Sequence, residues 1–297
     1  MKYLQLFEEY IKKEYGKSKT YKDNFIKAMN IMTLEECVKY VIENCTEFID
    51  NPIAIVRKID TSLDDEISYF QSDPVQRISR DNANHYTLLI DNSEEWKEYP
   101  KRSKSFCCTL LPKKTYYTNK YLVIPNDNSK WGICQSDDLY YSFNNLRVYA
   151  DSIKRFFNFI NDFSIELGLG GISDDNINDM KEDILKLQNK IFTEYDKKTF
   201  IYDINQEYAE YCSHFEQGED NPLQFYEDYW NKNLFEVLIE LIAPDNNNFN
   251  LKKYSELDRG QHEQEIWTDS PCIFVYDKYI TLFINILRDK IKKEILL

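Results

Sequence analysis

Glycine and proline are scarce in this chain, with 7 and 8 occurrences among 297 residues. Because both residues break helices and make tight turns, their scarcity favours a largely helical protein with short connections. The sequence also lacks the phosphate-loop motif G-x-x-x-x-G-K-[ST] and the dinucleotide motif G-x-G-x-x-G. Its most apolar stretches, around 234–243 and 279–287, are too short to cross a bilayer. We therefore expect a soluble protein with no membrane partner.

Cysteine is present but shows no disulfide or metal pattern. The seven cysteines are odd in number and contain no C-x-x-C spacing, which favours a reducing compartment. The acids Glu8 and Glu9 come too early for a signal peptide, so we expect a cytoplasmic location. Cys212 and His214 could supply two metal ligands, but no second pair of ligands stands nearby at the spacing of a zinc site, so no zinc site is predicted. The adjacent Cys107 and Cys108 are expected to point to opposite faces of a strand.

Acidic residues outnumber basic ones, and the formal net charge is −14. This balance argues against a protein that coats duplex nucleic acid, since contacts to phosphates need Lys and Arg. The overall charge does not exclude a local basic groove that binds nucleic acid, although a basic protein partner would suit that charge better. The length allows one large domain or two small ones, and the 23 Tyr and 18 Phe supply ample core material.

The hydrophobic period changes along the chain. Residues 1–50 have a helical period, with a capping box at Thr33 and Glu36 and a stop at Asn51-Pro52. Short apolar runs then predict strands at 53–59, 85–90, 105–111, 121–125 and 131–134. A helical period returns from 146 and predicts four helices. The first ends near the glycines at 168–171, the second begins at Ser173, the third covers 203–216 and the fourth follows Pro222. Strands resume at 262–276, and a last helix starts near 280.

These switches predict an α+β fold, because strands that return after a helical insertion need partners from the first strand group. We expect a single domain over 1–297. It comprises N-terminal helices at 1–50, a β core at 51–145 and 255–278, a helical insertion at 146–254 and a C-terminal helix at 279–297.

Two acids, Glu263 and Glu265, stand two residues apart where the flanking residues predict a strand. In an extended chain such a pair projects from one face. Two carboxylates on one face are costly unless solvent, a cation or a substrate hydroxyl satisfies them. A solvated edge strand is the simpler interpretation, and a substrate site is the alternative.

Three elements in order resemble the arginine–serine–glutamate ADP-ribosyltransferases. They are Arg57 ending a first strand, a hydroxyl-bearing strand from Ser105 to Thr109, and E-x-E leading into a strand. Where that family has an aromatic residue followed by Ser-Thr-Ser, this chain has Phe106 followed by Cys-Cys-Thr. The blocks at 99–105 and 121–125 also resemble phage and bacterial members of the group. The resemblance implies a mixed β core of ADP-ribosyltransferase type and NAD as a substrate.

The resemblance also implies roles for individual residues. Glu265 would stabilise the cationic ribose that forms when NAD loses nicotinamide, and Glu263 would orient or deprotonate the acceptor. Arg57 would hold NAD through its fork of donors, and either Ser105 or Thr109 would brace the glutamate. Rivals for the arginine role are Arg77, Arg80 and Arg102, and Tyr116 or Tyr117 could stack on the nicotinamide.

The implied function is mono-ADP-ribosyl transfer from NAD to a macromolecular acceptor, with a protein arginine as the acceptor that E-x-E suggests. Such an enzyme would be a bacterial or phage toxin or a host-modifying enzyme, with an antitoxin or regulator as a further candidate partner. A non-catalytic interaction protein, with a degenerate transferase-like core and a partner-binding helical insertion, is the alternative. NAD hydrolysis without an acceptor is a third option at the same site.

Overall fold

A computed structural model describes residues 27–58, 67–76, 84–110, 120–209, 212, 220–258 and 264–295. The chain forms two compact units. Unit 1 comprises residues 1–80, 98–137 and 250–297, and unit 2 comprises residues 81–97 and 138–249. The single domain expected over 1–297 stays a prediction.

Unit 1 is built on an antiparallel sheet. Within the described residues the sheet has nine strands in the order β1-β3-β9-β5-β2-β4-β8-β6-β7. The strands are β1 (Met29–Ile31), β2 (Ile55–Lys58), β3 (Tyr69–Ser72), β4 (Phe106–Leu110), β5 (Lys120–Pro125), β6 (Lys130–Ile133), β7 (Asn250–Lys253), β8 (Gln264–Thr268) and β9 (Cys272–Tyr276). Strands from both ends of the chain interleave, so the α+β class and the return of late strands into the first group are confirmed.

The helices divide between the units. They are α1 (Leu34–Asn44), α2 (Thr46–Asp50), α3 (His85–Asn92), α4 (Ile153–Glu166), α5 (Ile177–Glu194), α6 (Phe200–Glu207), α7 (Leu223–Asp228), α8 (Leu234–Ile242) and α9 (Ile280–Ile295). The first two and α9 belong to unit 1, and α3 to α8 belong to unit 2. Short 3-10 turns occupy Glu94–Trp96, Arg102–Lys104, Leu139–Tyr141, Asn144–Leu146, Asp245–Asn247, Tyr254–Glu256 and Asp277–Tyr279. In the part of the chain described here, no helix combines the length and apolar character needed to span a bilayer.

The predicted capping box starts α1. The Thr33 hydroxyl accepts a hydrogen bond from the Glu36 N–H at 3.3 Å, and the Glu36 carboxylate accepts one from the Thr33 N–H at 2.8 Å. These bonds satisfy amides that would otherwise lack partners at the helix start. The bond from the Thr33 N–H, together with one from the Thr33 hydroxyl, lowers the pKa of Glu36, since both favour the ionised carboxylate. The helical segment ends at Asp50, just before the predicted stop at Asn51-Pro52.

The sheet of unit 1 curls toward one face. The rings of Phe106 on β4 and Phe274 on β9 lie 5.1 Å apart, although β2 and β5 lie between their strands. In a flat sheet three strand spacings amount to roughly 14 Å, so the sheet bends to bring these rings together. Phe70 and Tyr121 line the same face, and buried aromatic rings thus fill the inside of the curve.

Unit 2 has a helical core. The apolar residues that recur at helical spacing along α4 are buried; they are Ile153, Phe156, Phe157, Ile160 and Phe163. Two of these rings meet α7: Phe156 makes an edge contact with Phe225 at 5.1 Å, and Phe163 makes a tilted contact with Tyr226 at 5.4 Å. The helical period therefore identified the core of this unit correctly.

One predicted strand is a helix. Residues 85–90 were expected to be extended but form most of α3, whose residues His85, Tyr86, Leu89 and Ile90 are buried. A short helix buried on most of its circumference shows no amphipathic period, so its sequence cannot be told from a buried strand. Three strands were not predicted: β1, β3 and β7. The β7 sequence Asn-Leu-Lys-Lys lies at an edge of the sheet and has no apolar alternation.

The boundaries of the helical insertion also differ from the prediction. Asn176 rather than Ser173 caps α5, because its side chain accepts bonds from the N–H groups of Asn178 and Asp179. The single helix expected after Pro222 is two helices, α7 and α8. Unit 2 ends at Phe249 rather than 254, since β7 pairs with β6 in the sheet. It also includes residues 81–97, which were assigned to the β core.

Candidate functional site

Glu265 lies on a central strand rather than on an edge. It stands directly opposite Thr109 in the β4–β8 ladder. On its other side, its N–H donates to the Ser136 carbonyl at 3.0 Å and its carbonyl accepts from the Cys134 N–H at 2.9 Å. Both backbone groups of Glu265 bond toward residues 134–136, and β4 lies alongside on the other side, so the direction of the Glu265 side chain is set by the sheet. The simple interpretation of a solvated edge strand is therefore wrong for this residue.

The Glu265 carboxylate forms an ion pair with Arg102. The Arg102 Nη2 lies 2.5 Å from Glu265 Oε1, and the two side chains are 5% and 15% exposed. Among the ion pairs in the described residues, no other has both partners so well buried. Arg102 was predicted as a rival for the arginine role, and it is the arginine that reaches the glutamate.

Trp267 positions Arg102. The guanidinium carbon of Arg102 lies 5.5 Å from the centre of the Trp267 ring, close enough for a cation–π attraction. The Trp267 Nε1–H donates to the Pro100 carbonyl at 3.0 Å, and Tyr99 stacks on the ring at 6.1 Å. The segment 99–102 is thus fastened to β8 two residues beyond Glu265, which brings the arginine over the acid.

Gly132 makes room for that tryptophan. It pairs with Trp267 across the β6–β8 ladder, and a Cβ added there would lie 2.2 Å from the indole ring. No side chain fits at that distance, so the ring occupies the space that a larger residue would fill. Sequence reasoning missed both residues, although a glycine inside a predicted strand is a recognised sign of close approach.

Arg57, to which the resemblance gives the role of holding NAD, lies away from Glu265 in the structure. Val56 is aligned with Thr109, which is aligned with Glu265. Arg57 is one residue further along, so it projects from the opposite face. There its guanidinium lies 5.5 Å from the Phe106 ring centre, and its Nη1 donates to the Cys107 carbonyl at 3.0 Å. We call the two sides the Arg57 face and the Glu265 face.

The hydroxyls predicted to brace the glutamate lie on the Glu265 face in different roles. The buried Ser105 hydroxyl donates to the Arg102 carbonyl at 2.9 Å, so it supports the arginine and the direct brace assigned to it is corrected. Thr109 is half-buried and directly opposite Glu265. It is the nearer of the two hydroxyls along the ladder.

Several predicted site residues lie outside the described residues. They are Glu263, Arg77, Arg80, Tyr116 and Tyr117. Their roles stay predictions.

The two vicinal cysteines separate as predicted. Cys107 is half-buried on the Glu265 face, opposite Trp267, while Cys108 is 3% exposed on the Arg57 face. Burial raises the pKa of Cys108 to about 12. All seven cysteines are free thiols, and no group of potential metal ligands occurs among the described residues.

Charge is divided unevenly between the two units. Counted over its residue range, unit 2 holds 26 Asp and Glu against 10 Lys and Arg, a net charge of −16. Unit 1 holds 25 against 27, a net charge of +2, and the two values together give the −14 of the chain. The acidic balance of the whole sequence therefore does not describe the unit that contains Arg102 and Glu265.

Comparisons with protein-family models, with curated proteins and with solved structures find no match for this chain.

Proposed function

We propose that the Glu265 face of unit 1 is an NAD-cleaving site of ADP-ribosyltransferase type, with Arg102 in the role first assigned to Arg57. The observation that supports this function is the buried Arg102–Glu265 pair beside Thr109. It joins a carboxylate, a guanidinium and a hydroxyl on one rigid sheet face. These are the three groups that the resemblance calls for.

Glu265 would act at the bond between nicotinamide and ribose. As this bond breaks, its electron pair leaves with nicotinamide and positive charge develops on the ribose. A fixed carboxylate stabilises that charge without reorganising. The backbone bonds to Ser136 and Cys134 provide the necessary rigidity, and the Glu265 side chain keeps 15% of its surface exposed.

The remaining groups fit the rest of the NAD molecule. A guanidinium binds phosphate oxygens through paired donors, and Arg102 is oriented by Trp267 and Ser105. Thr109 has a hydroxyl suited to a ribose oxygen. The net charge of +2 on unit 1 does not repel a diphosphate as the whole-chain charge would suggest.

The acceptor belongs to the same proposal. We assign a macromolecule, with a protein arginine as the acceptor suggested by the E-x-E pattern of Glu263 and Glu265. This would make the chain a cytoplasmic bacterial or phage toxin or host-modifying enzyme, controlled by an antitoxin or regulator. The third option, NAD hydrolysis, uses the same groups with water as the acceptor.

A second candidate is a non-catalytic interaction protein with a degenerate core. The observation that favours it is that Arg57 lies on the opposite face while Arg102 already neutralises Glu265. Unit 2, with its net charge of −16, would then bind a basic partner.

Incubation with labelled NAD and a cell lysate separates these functions. We expect label on a macromolecule, and we expect Glu265→Gln to reduce NAD consumption about a hundredfold or more, because it removes the charge that opposes the developing cation. Glu43→Gln is the matched control, since Glu43 is an exposed glutamate on α1 of the same unit.

The other outcomes decide among the alternatives. Release of nicotinamide without label on a macromolecule indicates hydrolysis. No consumption of NAD by the folded, unaltered chain, or equal and small effects of the two substitutions, would exclude the enzyme and favour the interaction protein.

A further inference from the structure

Arg102 and Glu265 bond directly to each other and are largely shielded from solvent. The two charged groups are within hydrogen-bond distance and are 5% and 15% exposed. A buried ion pair gains little net stability, because the cost of removing both charges from water offsets their attraction. Removing the partner of either charge is expensive for the same reason. A ligand that binds one of these two charged groups must therefore also supply a charged partner for the other.

Building on the proposed function, we propose that this pair acts as a charge-exchange gate that selects a ligand carrying both an anion and a cation. A phosphate takes over Arg102 while a cationic ring–ribose group takes over Glu265. Each protein charge then exchanges one partner for another, and neither is left alone. A ligand with the anion only would strip Glu265 of its counter-charge, and a ligand with the cation only would strip Arg102.

The surroundings of the pair suit such an exchange. The Arg102 guanidinium is held against the Trp267 ring, whose attraction does not depend on Glu265. The backbone of Glu265 is held by bonds to Ser136 and Cys134 and lies beside β4 within the sheet. The backbone of Glu265 and the Trp267 ring thus stay in place when the direct bond between the charges opens, so the exchange needs only side-chain movement.

This gate predicts discrimination between oxidised and reduced dinucleotides. NAD has a pyridinium cation and a diphosphate, whereas NADH has the same diphosphate and an uncharged ring. Since one unit charge facing a poorly exposed carboxylate separates the two ligands, we expect NAD to bind about tenfold more tightly. The preference should be weaker at high salt, because part of the site is exposed.

Calorimetric titration of the full chain with NAD, NADH and ADP-ribose tests the gate without any substitution. We expect NAD to bind about tenfold more tightly than either of the others. Nicotinamide mononucleotide, which has both charges, should bind, whereas ribose 5-phosphate and 1-methylnicotinamide, which have one each, should not. In Glu265→Gln the preference for NAD over NADH should disappear, with Glu43→Gln as the control that retains it.

The outcomes distinguish the gate from the proposed function. If the chain consumes NAD but binds NAD and NADH equally, the gate is wrong and the enzyme remains. If NAD is preferred but not consumed, the gate is supported and the catalytic proposal falls. If no dinucleotide binds to the folded chain, both are wrong.

Discussion

The two faces of the sheet at β4 differ although they are made by alternating residues of the same strand. The Arg57 face packs Phe106 and Cys108 into an aromatic interior, and its arginine donates to a backbone carbonyl. The Glu265 face presents Cys107 and Thr109 beside a buried ion pair. The position of an arginine at the end of a strand does not reveal from which face of the sheet its side chain projects. A shift of one residue in the strand register moves the side chain to the other face.

The largest expected contrast between the faces is in thiol reactivity. Burial raises the pKa of Cys108 to about 12, so at neutral pH its reactive thiolate is about a thousandfold scarcer than that of an ordinary thiol. We expect Cys107, the half-buried cysteine, to be alkylated first in the native protein. Peptide mass spectrometry measures the order, and Cys107→Ser should remove the fast phase. Faster labelling of Cys108 would mean that the faces are assigned the wrong way round.

The next contrast is between the two arginines. Arg102→Met leaves a buried carboxylate without its cation and should lower the free energy of unfolding by about 3 kcal/mol or more. Arg57→Met loses a charged hydrogen bond and a cation–π contact, at a cost of about 2 kcal/mol. Denaturant unfolding measures both, and NAD titration should weaken only for Arg102→Met.

A double substitution provides the control for the arginine comparison. Adding Glu265→Gln to Arg102→Met removes the unpaired charge, so the double variant should be more stable than Arg102→Met alone. If the second substitution destabilises the protein further, the pair is not the buried unit described here.

A smaller effect is expected where the Glu265 face meets β6. Gly132→Ala places a methyl group against the Trp267 ring and should cost about 2–3 kcal/mol of stability. Gly168→Ala is the matched control, because its Cβ would meet no atom within 4 Å. It should cost only about 1 kcal/mol, from the positive φ of 75°. Adding Trp267→Phe to Gly132→Ala should recover part of the loss, and no recovery would count against the clash.

The smallest expected effect, taken per pH unit, is on alkaline stability. The folded pKa of Cys108 lies above the ordinary thiol value, so the buried neutral thiol contributes stability that is complete below about pH 8.5. Between about pH 9 and 12 the unfolded chain loses this proton while the folded chain keeps it. Cys108 alone should lower the stability by about 1 kcal/mol per pH unit there, in addition to the effect of the other buried thiols whose pKa values burial also raises, Cys37, Cys45 and Cys272. Cys108→Ala should flatten this slope in urea unfolding, and an unchanged slope would contradict the burial argument.

Local signals in the sequence predicted local structure well. The Thr33–Glu36 capping box and the buried stripe of α4 are both present, because each depends on residues within one or two turns of a helix. The prediction failed for α3, where burial on most sides erased the period. It also failed for β7, whose strand conformation depends on pairing with β6.

Two properties of the site required the assembled structure. Arg102 rather than Arg57 meets Glu265 because Val56, Thr109 and Glu265 are aligned across three neighbouring strands. This alignment puts Arg57, one residue after Val56, on the other face. The division of charge into −16 and +2 depends on which segments fold together, including residues 81–97 with the helical unit.

The sequence by itself determined the α+β class and the start and end of the helical segment near 33 and 50. It also determined that Cys107 and Cys108 face opposite ways and that Glu265 is a candidate site residue. All of these follow from contacts or alternation within a few residues. Only the tertiary structure decided which arginine meets Glu265, that Trp267 and Gly132 position it, and which unit holds the acidic charge. The physical reason is that side-chain partners across a sheet are chosen by strand register, and register is set by pairing between segments far apart in the chain.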